Sequence, residues 1–410
     1  MRDELFQLSQ ELITFNTRDF RRYFIQNTPL SHRLSILTGQ RGIGKTTMLV
    51  QYLLDYAKDD IFSRYILYVP VDHFIVQGST LFEIAESFSQ IGGKWIAFDE
   101  IHKYSNWSLE LKSIYDSFPK LKVIASGSSA LEIHKGSHDL SRRAILYHLE
   151  GLSFREFLAL KNNIKLNSIT LENILTNHQF ISNKIILALD NIGKKILNEF
   201  SEYLTCGFYP YFFELNDLIL FQKTLEQNVH TTIESDLASI YPFLTGVSIR
   251  KLKQLLGFIA SSVPFTPKWS EIQSLLEIKD QRTLKTYFKY LQDANLIHII
   301  SRESSKLNKI SLPEKVYINN PNLMKAISKK PTNIGTIREI YFINMLMAHH
   351  NIAMHKDGDF VVDHKMIFEV GGKKKDFNQI KNLSDAYLAM DQIEKGIHDK
   401  IPLWLFGFLY

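Results

Sequence analysis

The chain has 410 residues, of which 45% are hydrophobic and 22% charged, with 48 basic against 43 acidic side chains and a formal net charge of +5. This is ordinary globular composition, and at roughly 100–200 residues per domain it predicts two to four domains, each able to bury a sizeable core. The mild basic excess permits nucleic-acid binding without arguing for it, because binders concentrate their charge on one face.

The single cysteine, Cys206, excludes an intrachain disulfide and a multi-cysteine zinc site. No stretch approaches the ~20 apolar residues that cross a bilayer. The opening MRDELFQLSQEL is polar and acidic, unlike a signal peptide. The expectation is a cytoplasmic protein in a reducing compartment, with no membrane partner.

Residues 1–30 read as a leading helix followed by a basic cluster at Arg18, Arg21 and Arg22. Short apolar runs at 34–38, 65–69, 95–99 and 123–126 then alternate with helical patterns starting at 45, 81 and 109. That alternation predicts an α/β fold, a parallel sheet covered by helices on both faces. After about Leu149 the strands stop. Residues 151–240 read as helical, interrupted at Gly207-Phe208-Tyr209-Pro210, and 249–302 as three helical patterns and a short apolar run. From 313 to 410 the pattern mixes a helix at 337–349, strands at 360–362 and 366–370, and an apolar end at 403–409.

Gly39-Gln40-Arg41-Gly42-Ile43-Gly44-Lys45-Thr46 fits G-x-x-x-x-G-K-[ST], with an apolar strand before it and a helix pattern from Thr46-Thr47 after it. Glycines let the backbone turn its N–H groups onto phosphate oxygens, and the helix N-terminus adds a favourable dipole. Lys45 is expected to reach the β- and γ-phosphates of ATP, and the Thr46 hydroxyl to ligate Mg²⁺. A second apolar run, Trp95-Ile96-Ala97-Phe98, delivers Asp99 and Glu100 at its carboxyl end. Asp99 is expected to hold Mg²⁺ through water and Glu100 to polarise the attacking water. Alone the pair reads equally as an acidic helix cap. The run 123–126 ends in a polar tip, Ser126-Gly127-Ser128-Ser129, where a hydroxyl senses the γ-phosphate or merely closes a Ser/Gly turn. Arg142-Arg143 supplies either a charge for the transition state, in cis or from a neighbouring subunit, or a solvated pair.

Taken together, "LTGQRGIGKTTML", "WIAFDEIHK", "VIASGSSALEI", "LSRRAILYHLEGLSFREFLAL" and "YLTCGFYPYF" resemble the AAA+ superfamily, and within it the prokaryotic ATPases that join an AAA domain to a DUF4143-type region. The resemblance covers residues 31–215. It implies a five-stranded sheet, a helical lid, ATP hydrolysis and a homo-oligomer in which a neighbour's arginine completes the site. It carries Ser126 or Ser128 over as the sensor on the fourth strand and Arg143 as the recurring arginine. The implied organisation is an N-terminal helix (1–30), an AAA+ core (31–150), a helical lid (151–245), an α-helical winged helix (246–312) and an α+β restriction-endonuclease-like domain (313–410).

In the winged-helix candidate, Leu284, Tyr287, Phe288 and Leu291 form a core stripe, with Arg282, Lys285 and Lys289 on the other side. Residues 296–300 are expected to be the wing. Such a helix enters the major groove, and these residue types suit DNA phosphates better than base edges. A packing module with solvated charges explains them as well. The C-terminal region resembles the PD-(D/E)xK nuclease core. Asp359 and Glu369 are expected to meet from adjacent strands, with Glu339 joining from a helix and Lys373 as the orienting lysine. The lysine expected two residues after Glu369 is replaced by Gly371, so a degenerate site is expected. His102 and His349-His350 have no partner at metal spacing and read as core or surface residues. Three functions follow: an ATP-driven switch acting on DNA, an ATP-regulated nuclease, and a scaffold ATPase that binds only protein.

Overall fold

Apolar runs too short to be helices and too continuous to be half-exposed strands are suited to the middle of a parallel sheet. In the computed structural model, β1 (Leu34–Thr38), β2 (Ile66–Pro70), β3 (Trp95–Asp99), β4 (Lys122–Gly127) and β5 (Ile145–His148) form such a sheet, every pair parallel, in the order β2-β3-β4-β1-β5. The structure describes residues 2–127, 140, 142–241, 243–262, 265–266, 268–278, 280–302, 313–328, 331–376 and 378–410. These fall into two compact units, 1–150 with 234–243, and 151–233 with 244–410.

The register of the first unit brings its polar residues together. Ile36 pairs with Ala125 and Leu37 with Ser126, while Phe98 pairs with Ala125 and Pro70 with Asp99. All carboxyl ends therefore point one way, and Thr38, Asp99 and Ser126 reach one edge of the sheet, where ligands bind in open α/β folds. The core beneath is made of Leu34, Ile36, Ile96, Phe98, Val123 and Ala125, all 2% exposed or less. The leading helix, Arg2–Asn16, ends earlier than expected, and a short helix, Tyr23–Asn27, follows. Its Ser9 Oγ accepts a hydrogen bond from the Tyr68 N–H at 2.8 Å. That covers a donor on the edge strand β2.

The second unit gathers the three regions that the sequence separates after residue 150, apart from 234–243. Its helical part includes Phe154–Asn162, Leu171–Asp190, Ile196–Glu202 and Leu218–Thr231. The expected interruption falls just after a π-helical turn at Tyr203–Gly207. Phe154, Phe157, Phe200, Tyr203 and Tyr341 stack with centroids 4.8–6.4 Å apart, so the helices share an aromatic core with the C-terminal region. Cys206 sits in this core, where burial pushes its thiol up to about 12, and behaves as a small apolar residue.

Three helices, Gly246–Ser261, Trp269–Leu276 and Gln281–Asp293, precede an antiparallel hairpin of β6 (Ile297–Ile300) and β7 (Lys315–Ile318), with Phe265 bridged to Val316. The strand expected at 296–300 is thus one arm of a pair. Its partner lies beyond residue 312, so a domain boundary there runs through a hairpin. A last sheet, β8 (Ile352–Met354), β9 (Phe360–Val362), β10 (Met366–Gly371), β11 (Ala386–Met390) and β12 (Lys400–Pro402), has the order β12-β11-β10-β9-β8. Its β8-β9-β10 part is antiparallel and its β10-β11-β12 part parallel. The helix Ile334–Met347 is buried continuously from Ile340 to Leu346 and carries Phe342 against Phe360 and Phe368. No helix among the described residues is long and apolar enough to cross a membrane.

Candidate phosphate-binding site

The loop between β1 and the helix Lys45–Ala57 turns through Gly42 (φ +82°) and Gly44 (φ +95°), conformations that an L side chain rarely adopts. A Cβ on Gly39 would meet the Leu149 carbonyl oxygen at 2.5 Å. Arg22, from the basic cluster that follows the leading helix, is 5% exposed and donates to the carbonyls of Ile43 (3.1 Å) and Glu150 (2.7 Å). The N-terminal segment therefore buttresses the loop, a role its sequence did not reveal. Ile43 is itself buried and anchors the loop to the core.

Lys45 is 5% exposed and donates to the carbonyls of Gly39 (3.1 Å) and Gln40 (2.8 Å), so its ammonium lies inside the curl of the loop. Burial pulls its affinity for the proton below the usual lysine range, while the charges of Glu100 and Asp99 pull it back up. Thr46 donates from Oγ1 to Asp99 Oδ2 at 2.7 Å. The same oxygen accepts from the Tyr68 hydroxyl at 2.5 Å. The other oxygen, Oδ1, accepts from Ser126 Oγ and from the Glu100 N–H at 3.1 Å. Ser126 is fully buried and its Oγ also accepts from the Glu100 N–H at 3.2 Å. Asp99 and Ser126 thus converge. Ser128, the other sensor candidate, lies outside the described residues.

Tyr68 was not singled out by sequence. It stands two residues before Pro70, the partner of Asp99, on the neighbouring strand. Burial first, then the Asp99 charge and hydrogen bond, push its phenol far above the ordinary tyrosine value, which keeps it a donor. Glu100 adopts a left-handed backbone (φ +55°, ψ +40°), the kind of local strain that accumulates at functional sites. Its carboxylate lies 3.8 Å from Arg41, 3.8 Å from His102 and 3.6 Å from Lys103.

His102 is 4% exposed, and burial lowers its imidazole to about 4, against the opposing pull of Asp236. The ring is therefore neutral at pH 7. His102 is thus a core residue, and its ring lies 3.9 Å from Asp236. Asp236, 3% exposed, belongs to the stretch 234–243 that packs in the first unit, and accepts from Arg41 Nη2 at 3.3 and 3.4 Å. Nothing local in the sequence marks Asp236, which stands 195 residues from its partner.

Arg143 is placed elsewhere. Its guanidinium forks onto Asp116, with Nε to Oδ1 at 2.8 Å and Nη2 to Oδ2 at 3.0 Å. It precedes β5, whose His148, not its first residue, pairs with Thr38 beside the loop. Arg143 is therefore at the amino-terminal end of the sheet, roughly 16 Å of strand away from the phosphate site at about 3.3 Å per residue. A cis role for Arg143 at its own site is thus not what this geometry provides.

The donor set suits ATP and Mg²⁺. Thr46 and Asp99 present hard oxygens 2.7 Å apart beside the loop, the ligand type that Mg²⁺ requires. The glycine turns and Lys45 form a cradle of the kind that phosphates occupy.

In the second unit, the three expected carboxylates are each engaged by their own chain. Glu339 Oε2 accepts from the Tyr317 hydroxyl at 2.5 Å and lies 3.9 Å from Lys315. Asp359 Oδ2 caps the Val370 N–H at 2.8 Å. Glu369, 3% exposed, pairs with Lys375 at 2.5 Å. Burial raises Glu339 and Glu369 above the usual carboxylate range, with the charge of Asp359 adding to both. The carboxylates are close enough to sense one another, yet among the described residues no three His, Cys, Asp or Glu form a group able to hold a metal. The lysine that meets Glu369 is Lys375, not the expected Lys373. β10 ends at Gly371, so strand parity does not extend to 373. A turn closed by Lys375 N–H to Gly372 O (2.8 Å) leaves Lys373 exposed and folds Lys375 back. A Cβ on Gly371 would meet the Lys375 stem at 2.6 Å, so the glycine makes room for that return.

Residues 31–158 match the family model described as "AAA domain". This part of the chain is similar to an AAA domain. Residues 197–333 match "Domain of unknown function (DUF8612)", which is not the DUF4143-type region that the resemblance implies. The chain is 29% identical over 291 residues to an uncharacterized protein of Methanocaldococcus jannaschii, covering 69% of this chain and 60% of that protein's length. It is 21% identical over 407 residues to an uncharacterized protein of Haemophilus influenzae, covering 92% of this chain and 90% of that one. Among solved structures it is similar to a Walker-type ATPase of Pyrococcus abyssi (15% identity, 80% of this chain and 97% of that, TM-score 0.40). It is also similar to AMPPCP-bound DnaA from Aquifex aeolicus (14% identity, 71% and 88%, TM-score 0.26). Likenesses this weak say nothing of ligand or partner; the similarity to an AAA domain rests on the family match over residues 31–158.

Proposed function

We propose that the chain binds and hydrolyses ATP in its AAA domain, and that the nucleotide state governs contact with DNA by the second unit. The observation that carries the first half is the convergence of Thr46, Tyr68 and Ser126 on the Asp99 carboxylate beside a glycine-turned loop with a buried lysine. In this reading Lys45 and the loop hold the β- and γ-phosphates, and Thr46 and Asp99 hold Mg²⁺, directly and through water. When bound, Mg²⁺ neutralises charge on the phosphates. Tyr68 and Ser126 fix the Asp99 carboxylate from both sides. Glu100 orients water once its carboxylate is released from Arg41 and Lys103. Phosphate release from ATP, measured with and without Mg²⁺, tests this: turnover confined to the Mg²⁺ samples is expected, and none in a protein that binds no ATP analogue sinks the reading.

For the second half, the support is the helix Gln281–Asp293. It buries Leu284, Tyr287, Phe288 and Leu291 and leaves Arg282 and Lys289 exposed, next to a β-hairpin, an arrangement that resembles a winged helix. Anisotropy of a labelled duplex at low salt is expected to report binding that weakens steeply as salt rises. No binding at low salt would leave only a protein-binding role. A degenerate nuclease-like site fits the carboxylates of the last sheet better than a working one, because each is already held by a partner.

A further inference from the structure

The ATP-hydrolysis reading above gives no part to Asp236, the second carboxylate that Arg41 meets. Arg41, inside the phosphate-binding loop, serves two carboxylates with the same nitrogen: Asp236 at 3.3 Å and Glu100 at 3.8 Å. Asp236 is nearly fully buried and stands close enough to Lys45 for its charge to act on that ammonium. A buried carboxylate next to a cradle for anions is costly when a phosphate arrives, because like charges at short range in a dry site repel strongly. A guanidinium binds phosphate as well as carboxylate.

The chain path gives that competition a consequence. Asp236 lies in 234–243, a stretch bounded on both sides by residues of the second unit, Ile233 and Leu244. It stands at the end of a π-helical turn, Thr232–Asp236, followed by a four-residue helix, Leu237–Ile240, that closes with Tyr241 N–H to Leu237 O at 2.9 Å. π-Turns are local irregularities often kept at functional positions.

We propose that Asp236 is a positioning residue that holds Arg41 in the nucleotide-free state. Phosphate takes Arg41 from it, which loosens the stretch 234–243 and removes Arg41 from Glu100 in the same step. This rests on the ATP reading and adds its regulation: the leash through which nucleotide occupancy is signalled along the chain is the segment that carries Asp236. No covalent step is involved; a salt link from Arg41 to Asp236 and Glu100 is exchanged for one to a phosphate oxygen.

Hydrogen exchange on the full-length wild-type protein tests it, with AMPPNP and Mg²⁺, with ADP and Mg²⁺, and without nucleotide. Occupancy is followed independently by displacement of a fluorescent ATP analogue. AMPPNP is expected to speed exchange of the amides in 234–243, Tyr241 among them, at least tenfold, and ADP to do so less. Asp236→Asn, close in shape, is expected to exchange fast in every state and to bind AMPPNP several-fold more tightly. Occupancy with unchanged or slower exchange in the wild type overturns the switch and leaves the ATP reading intact. Absence of occupancy overturns the ATP reading and the switch with it. Because the wild-type result decides, the test survives if the variant does not fold.

Discussion

The phosphate site and the carboxylate cluster of the last sheet are built from the same materials: acidic side chains, a lysine and hydroxyls at strand ends. They differ in what those groups face. Around the loop, Thr46, Tyr68 and Ser126 converge on Asp99, and Lys45 sits inside a curl of backbone shaped by glycine. Around the last sheet, Glu339 of the preceding helix, Asp359 and Glu369 are taken up by Tyr317, the Val370 amide and Lys375. The first arrangement gathers its groups on one edge of the sheet, beside a glycine-turned loop. The second spends them on its own fold. Matching residue types are therefore a weaker guide to chemistry than the partners those residues already have.

The contrast can be broken by substitution. Lys45→Met should reduce ATP turnover by on the order of 10²-fold or more, since it removes a preorganised charge from the phosphates; phosphate release measures it, and near-normal turnover would remove the loop from the account. In the last sheet, Lys375→Met should cost about 2 kcal/mol of stability in urea unfolding, because it strips a buried carboxylate of its charged partner. Lys373→Met should cost under about 0.5 kcal/mol, as for an exposed side chain. If Lys373 proves the costly one, the turn after Gly371 has been misassigned.

A third comparison turns on pH. His102 has its imidazole lowered to about 4 by burial, against an ordinary 6.5. Above 6.5 it is neutral in both folded and unfolded chains and contributes no pH dependence. Between about 6.5 and 4 the unfolded chain binds a proton that the folded one refuses, so stability falls as pH falls. From pH 7 to pH 5 this site alone should cost about 2 kcal/mol at 1.36 kcal/mol per unit. Unfolding of the wild type and of His102→Gln at both pH values gives the difference; equal acid sensitivity would mean that the ring is protonated or exposed.

Much of the first unit was legible because its signals are contiguous. A phosphate loop is written in eight consecutive residues, since it binds through backbone, and Asp99-Glu100 follows a run that can only be a buried strand. What escaped the sequence was whatever depends on tertiary neighbours. Tyr68 reaches Asp99 only through the β2–β3 register, Arg22 reaches the loop from a preceding segment, and Asp236 arrives from the far side of the helical region. For Arg143 the sequence left a cis and a trans role open, and only its strand, which places it at the far end of the sheet from its own loop, separates them. In the last sheet the strands were readable from their apolar runs, while the lysine was not. Parity holds only as long as the strand does, and the strand ends at Gly371.

Glu100 is proposed to position water for ATP hydrolysis at this loop. Turnover and binding of ATP by Glu100→Gln test it most directly, because the variant keeps size and hydrogen-bonding reach but loses the charge. The account predicts that ATP still binds, with affinity equal to or higher than the wild type, while turnover falls by about 10²-fold or more. Turnover close to wild type at full occupancy would contradict it.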